Sequence, residues 1–537
     1  MNEIVILSGQ IGTGKTTLAK NLESNFGFFH VKTRDFLTAR GRGLQLERSA
    51  LQLFGEKLDS KTGGAWVVED LDAFLRNSHR PCPVVLDSVR HLGQIESLRR
   101  AYGRKIIHIH LEADFKELEA RYRKRLSDGM GIRELPSYSA AHQNKTESRV
   151  NRLSKFADVV IRTDRCTPED VLVRVASHIG CYGRECLRLV DVLVGGQYGS
   201  EGKGQIAAYL SREYDFLVRV GGPNAGHKVK VGGSVFTFRH LPSGTLSSDA
   251  KIIIGAGAVL HVPTLLEEIA ACKVDRDRLS IDPQAMTISQ RDRASEGVLK
   301  ANIGSTGQGV GFATARRVTR RGQSGVKLAR DIAELRPFVR ETGRIFEKAF
   351  SEGNRILLEG TQGTGLSLFH GFYPHVTSRD TTVAGCLAEA GISATRVRKA
   401  IMVCRTYPIR VMSPSQDGKT SGYMSKELMW GEIERRAGAV EGEFASLEKG
   451  SVSHNLRRVA EFDWVLLRRA ASLNAPTDIA LTFADYISKK NSTVHRFEQL
   501  TESTIRFIEE VEMVASAPVT LISTKFDPQG IIDRRAW

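Results

Sequence analysis

Proline is scarce in this chain, 15 of 537 residues, while glycine is plentiful at 50. That balance speaks for tight backbone turns and against long Pro-rich linkers. Cysteine is also sparse. The seven thiols (Cys82, Cys166, Cys181, Cys186, Cys272, Cys386, Cys404) form no CxxC pair and have no histidine at metal-ligand spacing. A disulfide frame and a structural zinc site are thereby excluded, and the set reads as reduced thiols of a cytoplasmic protein. No run approaches the roughly 18 to 20 apolar residues of a membrane span. The opening Met1-Asn2-Glu3-Ile4-Val5-Ile6-Leu7-Ser8 is too short an apolar run for a signal peptide, and glycines follow at once. Negative charge is in deficit: 61 Asp and Glu face 77 Lys and Arg, a net +16. The excess suits anionic ligands such as nucleotides. Nucleic acid is disfavoured, because the basic residues are scattered and no helix-turn-helix, OB or aromatic-basic pattern occurs.

At 41% hydrophobic and 26% charged residues the composition is globular. The length predicts two to four structural units. Apolar strand-like runs at 4–7, 83–86, 105–110 and 157–161 alternate with helical patterns such as 115–125 and 168–178. That alternation predicts a parallel sheet. The stretch Gly180-Cys181-Tyr182-Gly183-Arg184-Glu185 breaks the pattern. It sets the expected domains at 1–182 and 187–537, both α/β with P-loop-type parallel sheets. Ser413 to Lys419 reads as a polar surface loop.

Gly9-Gln10-Ile11-Gly12-Thr13-Gly14-Lys15-Thr16 matches GxxxxGK[ST] in full, after a strand and before a helix expected over Thr17–Glu23. In such a loop the backbone N–H groups cradle phosphates, the lysine neutralises them and the Thr16 hydroxyl holds magnesium. Asp87 ends the run Val84-Val85-Leu86. It reads either as the magnesium side of the same site or as a helix N-cap. Arg121, Arg123, Lys124 and Arg125 make a basic helical run, either folded over phosphates or solvated. The P-loop, Asp87-Ser88-Val89-Arg90 and this run together resemble the nucleoside monophosphate kinases. The resemblance implies ATP held by Gly9, Gly12, Gly14, Lys15, Thr16, Thr17, Asp87, Arg121 and Arg125, with an acceptor nucleotide near Thr33-Arg34-Asp35.

A second strand, Val190 to Val194, runs into Gly195-Gly196-Gln197-Tyr198-Gly199-Ser200-Glu201-Gly202-Lys203-Gly204, before a helix expected from Ile206. This is not a Walker motif, but it is again an anion cradle at a helix N-terminus. After a strand at 216–220, Gly221-Gly222-Pro223-Asn224-Ala225-Gly226-His227 sets an imidazole in a second glycine turn. Taken alone, such a histidine is a packed loop residue. Its company is more specific: His240-Leu241-Pro242-Ser243-Gly244, Gly304-Ser305-Thr306-Gly307-Gln308-Gly309, Glu359-Gly360-Thr361-Gln362-Gly363 and Tyr373-Pro374-His375-Val376-Thr377-Ser378 follow in order. From about Arg188 onward the chain resembles adenylosuccinate synthetase.

That resemblance implies a ligase. A donor nucleotide phosphorylates the purine 6-oxygen, and L-aspartate then displaces phosphate at C6. Catalysis falls to His227, Ser200, Lys203 and Gln362. The donor, GTP or ATP, falls to Gly199, Glu201, Gly202, Gly204, Arg457, Asp485 and Ser523. Asn224, Thr306 and Thr377 hold the acceptor's 5′-phosphate, and magnesium takes the Gly226 carbonyl. Arg320 matches an arginine that crosses from a second subunit, so a homodimer is implied.

Three departures qualify this. Ser200 stands where the family carries the aspartate that takes the purine N1 proton, and a neutral hydroxyl is a poor base. The same serine occurs in the phage branch that makes 2-aminoadenylosuccinate from dGMP, where it leaves room for the guanine 2-amino group. The expected acceptor is therefore GMP or dGMP, with IMP as the alternative. The family's arginine-rich aspartate loop is thinned to Ser451-Val452-Ser453-His454-Asn455-Leu456-Arg457-Arg458. The lysine of the guanine-reading Lys-x-Asp is Phe483, although Asp485 persists. A nucleotide sensor that binds without turnover is the alternative of another class.

Overall fold

The sequence Ile4-Val5-Ile6-Leu7-Ser8-Gly9 is buried at every position and forms a central strand, β1 (Ile4–Gly9). A strand covered on both faces needs apolar side chains on both sides of the pleat, which this run supplies. The computed structural model describes residues 4–41, 48–77, 83–127, 137–139, 149–182, 186–297, 299, 303, 305–321, 325–411, 421–448 and 456–535. The stretches 183–185, 413–419 and 451–455 singled out in the sequence lie outside the described residues, as does Gly304. The chain divides into two units, Met1–Arg184 and Glu185–Trp537.

In the first unit β1 is joined by β2 (Phe29–Lys32), β3 (Val84–Asp87), β4 (Ile106–Glu112) and β5 (Val159–Arg162) in the order β2-β3-β1-β4-β5. Every pairing is parallel. One face packs Val5, Leu7, Ile109 and Leu111 against helices Lys15–Phe26 and Pro168–His178; the other packs Ile4, Ile6, Val84 and Leu86 against Trp66, Leu71, Ile95 and Leu98. Helix Pro168–His178 begins where proline and a Thr167–Asp170 capping box predict. Cys181, in the stretch expected to break the pattern, is still buried in this unit's core.

One polar row crosses that core. Ser8 Oγ lies 2.6 Å from His108 Nε2 and 2.7 Å from His110 Nδ1, with both rings fully buried. His108 Nδ1 faces the Phe156 carbonyl at 3.2 Å, so it carries the proton and Nε2 accepts from Ser8. His110 Nδ1 must then donate to Ser8. Burial pushes both imidazoles down to about 4. Between that value and the ordinary 6.5 the unfolded chain binds more protons than the folded one, so stability falls as pH falls. From pH 7 to pH 5 we expect about 2 kcal/mol lost per histidine, about 4 together. Urea unfolding of the full chain, followed through hydrogen exchange of peptides from β1 and β4, checks this; an unchanged midpoint would contradict it.

In the second unit β6 (Val190–Gly195) is the central buried strand. It is followed by β7 (Phe216–Arg219), the hairpin β8 (His227–Val231) and β9 (Ser234–Phe238), β10 (Lys251–Ile254), β11 (Val259–Leu260), β12 (Leu279–Ile281) and β13 (Met286–Thr287). Then come β14 (Ile356–Glu359), β15 (Val397–Arg405), β16 (Ile409–Arg410), β17 (Glu427–Leu428), β18 (Arg458–Ala460), β19 (Asp478–Thr482), β20 (Val519–Ser523) and β21 (Ile531–Asp533). Nine of these form one sheet in the order β12-β10-β7-β14-β6-β15-β19-β20-β21, parallel except for the last pair. Ligands of such sheets collect outside the carboxyl ends of the strands. The glycine loops after β1 and β6, Asp87 as the last residue of β3 and Glu359 as the last of β14 all lie at such ends.

Both loops enter their helices by the same device. Gly14 (φ 89°) and Gly202 (φ 85°) are left-handed N-caps immediately before Lys15 and Lys203. The helices therefore start at those lysines, two and three residues earlier than the sequence pattern suggests. Only glycine takes that conformation without strain.

Candidate active sites

In the first unit the P-loop closes on itself. Lys15 Nζ donates to the Gly9 and Gln10 carbonyls, each at 2.7 Å. Thr16 Oγ1 donates to Asp87 Oδ2 at 2.8 Å, Ser88 Oγ to Asp87 Oδ1 at 2.8 Å, and His30 Nε2 is 3.2 Å from Oδ2. Burial would raise the Asp87 carboxyl, but the bonds from His30, Thr16 and Ser88 and the Lys15 charge hold it at about 2. Asp87 ends a strand and caps no helix, so the N-cap alternative falls away. Thr16 and Asp87 together are a hydroxyl and a carboxylate of the kind that hold magnesium beside a nucleotide's phosphates. Arg121 docks on the loop: its Nη1 reaches the Gly12 carbonyl at 3.3 Å and Thr163 Oγ1 at 3.0 Å. Arg125 and Thr17 are exposed. Arg123 faces solvent and pairs with Glu119. The basic run thus splits, with Arg121 at the loop and its neighbours on the surface. Thr33 Oγ1 donates to the Ser88 carbonyl at 3.0 Å, bringing the start of helix Thr33–Arg40 to the end of β3.

In the second unit the loop after β6 is braced from within by Glu201, which is fully buried. Its Oε1 accepts from the N–H groups of Gln197 (3.1 Å) and Gly199 (2.7 Å), and its Oε2 from Lys203 Nζ at 2.5 Å. The side chain of Glu201 therefore shapes the loop, and what Glu201 can offer a ligand is its backbone. Ser200 is exposed, with φ 59°. A Cβ on Gly204 would come within 2.8 Å of the His227 Cβ, so glycine is required where loop and histidine meet.

His227 is the first residue of β8 and not a loop residue, as its glycine-rich surroundings suggested. Its Nδ1 bonds to Glu359 Oε1 at the end of β14. Glu359 also accepts from Arg219 Nη1 (2.9 Å), Ser243 Oγ (2.5 Å) and the Ser243 N–H (2.7 Å). Burial and the Arg219 guanidinium push the imidazole down to about 4, against the pull of Glu359. Burial would raise the Glu359 carboxyl, but Arg219, His227 and Ser243 hold it at about 2. The pair is a neutral imidazole oriented by a fixed carboxylate. Sequence reading gave Glu359 and Arg219 no role. The available signal was position: Glu359 is a carboxylate ending a buried strand, as Asp87 is.

Around this pair the sequence-assigned residues gather in two groups. Asn224 Nδ2 donates to Thr377 Oγ1 at 3.2 Å. Cβ atoms on Gly222 and Gly311 would lie 2.8 Å from Val310 and 3.6 Å from Ser378. The turn carrying Asn224 and Gly226, the loop carrying Thr306 and the segment carrying Thr377 therefore converge. Gln362 backs the glycine loop, its Cα 3.5 Å from a Cβ built on Gly199. On the other side Thr482 Oγ1 donates to the Glu201 carbonyl at 2.6 Å, bringing the end of β19 against the loop. There Asp485 is 8% exposed, burial pushes its carboxyl up to about 7, and its Oδ1 has no partner among the described residues. Phe483 lies 4.0 Å under the Arg405 guanidinium. Glu448 joins Arg405 (2.7 Å) to Arg457 (3.3 Å). Ser523 Oγ donates to the Lys525 carbonyl at 3.0 Å.

Arg320 is not brought to this chain's own acceptor group. It caps the far end of helix Val310–Thr319, exposed, about 16 Å along the axis from Gly309. No group of three or more His, Cys, Asp or Glu among the described residues is placed to hold a metal ion. A magnesium ion at this loop would draw on neutral oxygens, the Ser200 hydroxyl and the Gly226 carbonyl, together with a nucleotide's phosphates.

Backbone strain marks the same places. Among the described residues, seven that are not glycine have positive φ. Lys273, Ala475 and Ser516 end helices, where that conformation is ordinary. The other four are Ser88 (74°), Ser200 (59°), Gln362 (60°) and Phe483 (60°), each at or beside a candidate site.

Residues 192–332 and 325–494 match the adenylosuccinate synthetase family, and residues 5–148 match the family described as an AAA domain. The adenylosuccinate synthetase of Pyrococcus horikoshii is 36% identical over 352 residues, which are 64% of this chain and 98% of that protein. That of Methanocaldococcus jannaschii is 37% identical over 353 residues, 64% of this chain and 96% of its own. Among solved structures, fully ligated adenylosuccinate synthetase from Plasmodium falciparum aligns at a TM-score of 0.56, covering 65% of this chain and 100% of that one. At 22% identity this likeness speaks for the fold. The succinoaminodeoxyadenylate synthetase of cyanophage S-2L, solved with dGMP and with dATP as an energy donor, aligns at 0.55 with 28% identity, covering 65% and 96%. No helix among the described residues is long and apolar enough to cross a membrane.

Proposed function

The chain belongs to the adenylosuccinate synthetase family, and from that premise we propose that its second unit joins L-aspartate to C6 of a guanine nucleotide, GMP or dGMP. It is a C–N ligase carrying a P-loop kinase-like domain, which we read as a nucleoside monophosphate kinase. The observation that carries the guanine reading is Ser200, an exposed hydroxyl in the glycine loop where the family carries a carboxylate. A neutral, smaller side chain leaves room for a 2-amino group. Glu201 cannot stand in for the missing carboxylate, since both its oxygens are engaged inside the loop. The cyanophage enzyme, solved with dGMP, supports the same choice.

In the reaction the donor's γ-phosphorus forms a bond to the purine O6 as its bond to the β-bridging oxygen breaks, and the purine's N1 proton leaves to solvent. The aspartate amine then attacks C6, and the C6–O bond breaks to release phosphate. The N–H groups of Ser200 to Gly204 and the Lys203 charge face the charge that builds on the transferring group. His227, held by Glu359, meets the 6-oxygen, and Gln362 meets the base. Asn224, Thr306 and Thr377 hold the 5′-phosphate, with Arg320 reaching the partner subunit's acceptor in a homodimer. Magnesium, when bound, offsets the charge of the β- and γ-phosphates. Asp485 supports GTP as donor, because a carboxylate accepts from guanine N1–H and N2–H; the dATP of the cyanophage enzyme supports adenine. Gly9 to Thr17, Asp87, Arg121 and Arg125 serve ATP in the kinase unit.

The test incubates the full chain with L-aspartate, magnesium and either ATP or GTP, offering IMP, dIMP, GMP and dGMP, and reads products by mass. An aspartate adduct of GMP or dGMP is expected. An adduct of IMP or dIMP alone overturns the guanine reading, and nucleotide binding without any adduct overturns turnover itself.

A further inference from the structure

Thr361 and Gln362 are neighbours in the turn after β14, and their side chains end a hydrogen-bonded row whose direction can be worked out. Glu389 accepts from the Gly221 N–H at 3.1 Å and from Arg379 Nε at 2.6 Å. Arg379 Nη1 reaches Thr361 Oγ1 at 2.9 Å, and Thr361 Oγ1 lies 2.9 Å from Gln362 Oε1. A guanidinium only donates, so the Thr361 oxygen accepts from Arg379 and its own proton goes to Gln362. The carboxamide oxygen of Gln362 is thereby committed inside the protein. Its Nε2 has no hydrogen bond among the described residues. Thr361 is 1% exposed, and Arg379 and Gln362 are each 8% exposed, so water does not compete freely for the row. Turning the carboxamide over would present N–H groups to a hydroxyl that already accepts, stranding the Thr361 proton.

We propose that the Glu389–Arg379–Thr361 row fixes Gln362 as a hydrogen-bond donor toward the acceptor's base, so that the site selects purine monophosphates with an acceptor at position 6 and rejects those with a 6-amino group. The inference rests on the reading of Gln362 as the residue that meets the base. Its consequence concerns turnover. The ligase converts a 6-oxo group, an acceptor, into a 6-amino group bearing N–H, a donor. A glutamine held as donor favours the substrate over the product at the same subsite, and so favours release. Thr361, Arg379 and Glu389 are positioning residues here, acting through Gln362.

The test compares binding within two pairs that differ at position 6 and in the N1 proton that goes with it, IMP with AMP and GMP with 2-aminoadenosine 5′-monophosphate, so the assignment to Gln362 rests on the change of the ratio between variants. Titration calorimetry on the full chain is applied to the unmodified protein, Thr361→Val, Thr361→Ser and Gln362→Ala. In the better-bound pair the 6-oxo member is expected to bind about tenfold tighter. Thr361→Val should shrink that ratio to about threefold or less, chiefly by improving the 6-amino member, while Thr361→Ser, which keeps the hydroxyl, should restore it. If Thr361→Val weakens both members equally, Thr361 only supports the turn and the proposal fails. If Gln362→Ala leaves 6-oxo affinity unchanged, Gln362 does not meet the base, and the reading beneath the proposal fails with it.

Discussion

Glu359→Gln is expected to lower the ligase kcat by about 10²- to 10³-fold with a much smaller change in the acceptor's KM. The substitution keeps the shape of the side chain and removes its charge. His227 would lose the carboxylate that receives its Nδ1–H, and with it a fixed ring orientation. Arg219, buried and bonded to the same oxygen, would be left without its counter-charge. Breaking one side of such a pair costs about 3 to 5 kcal/mol of stability. Kinetics should therefore be measured well below the variant's melting temperature. A variant that is less stable yet turns over at the original rate would show that Glu359 only maintains the fold.

The second large effect belongs to the other unit. Asp87→Asn should reduce phosphoryl transfer by the P-loop unit by about a hundredfold or more, and leave aspartate ligation unchanged. Asp87 takes bonds from Thr16, Ser88 and His30 and stays ionised beside Lys15. Asparagine can accept from Thr16 but cannot offset a cation. Diphosphate formation from a labelled donor with each nucleoside monophosphate in turn, beside the ligase assay on the same preparation, reads both rates. Ligation falling together with kinase activity would contradict independent sites.

The elements of both units follow closely from contiguous patterns. Residues 4–9 and 190–195 are apolar runs ending in glycine, and Pro168–His178 carries its own start signals. The P-loop is likewise local, a spacing within eight residues. What escaped the sequence is what the fold brings together from afar. His227 and Glu359 lie 132 residues apart and meet only because β8 opens beside the ends of β7 and β14. Arg379 and Glu389 look like ordinary surface charges, yet they reach Thr361 and Gly221. The helix starts at Lys15 and Lys203 were missed because a left-handed glycine N-cap has no apolar period to reveal it. The split of the basic run was hidden too, since only Arg121 has Gly12 and Thr163 across from it.

Ser88, Ser200, Gln362 and Phe483 hold a backbone conformation that costs each of them on the order of 1 kcal/mol or more. Glycine or asparagine would sit there with less strain. Under selection for stability alone, these four positions are where random change would be rewarded first. A descendant gene freed from making purine would drift toward glycine or asparagine at them, and its protein would melt at a higher temperature than its working ancestor. Heat tolerance gained at these residues would then be a record of lost work, legible in a lineage before any assay is run.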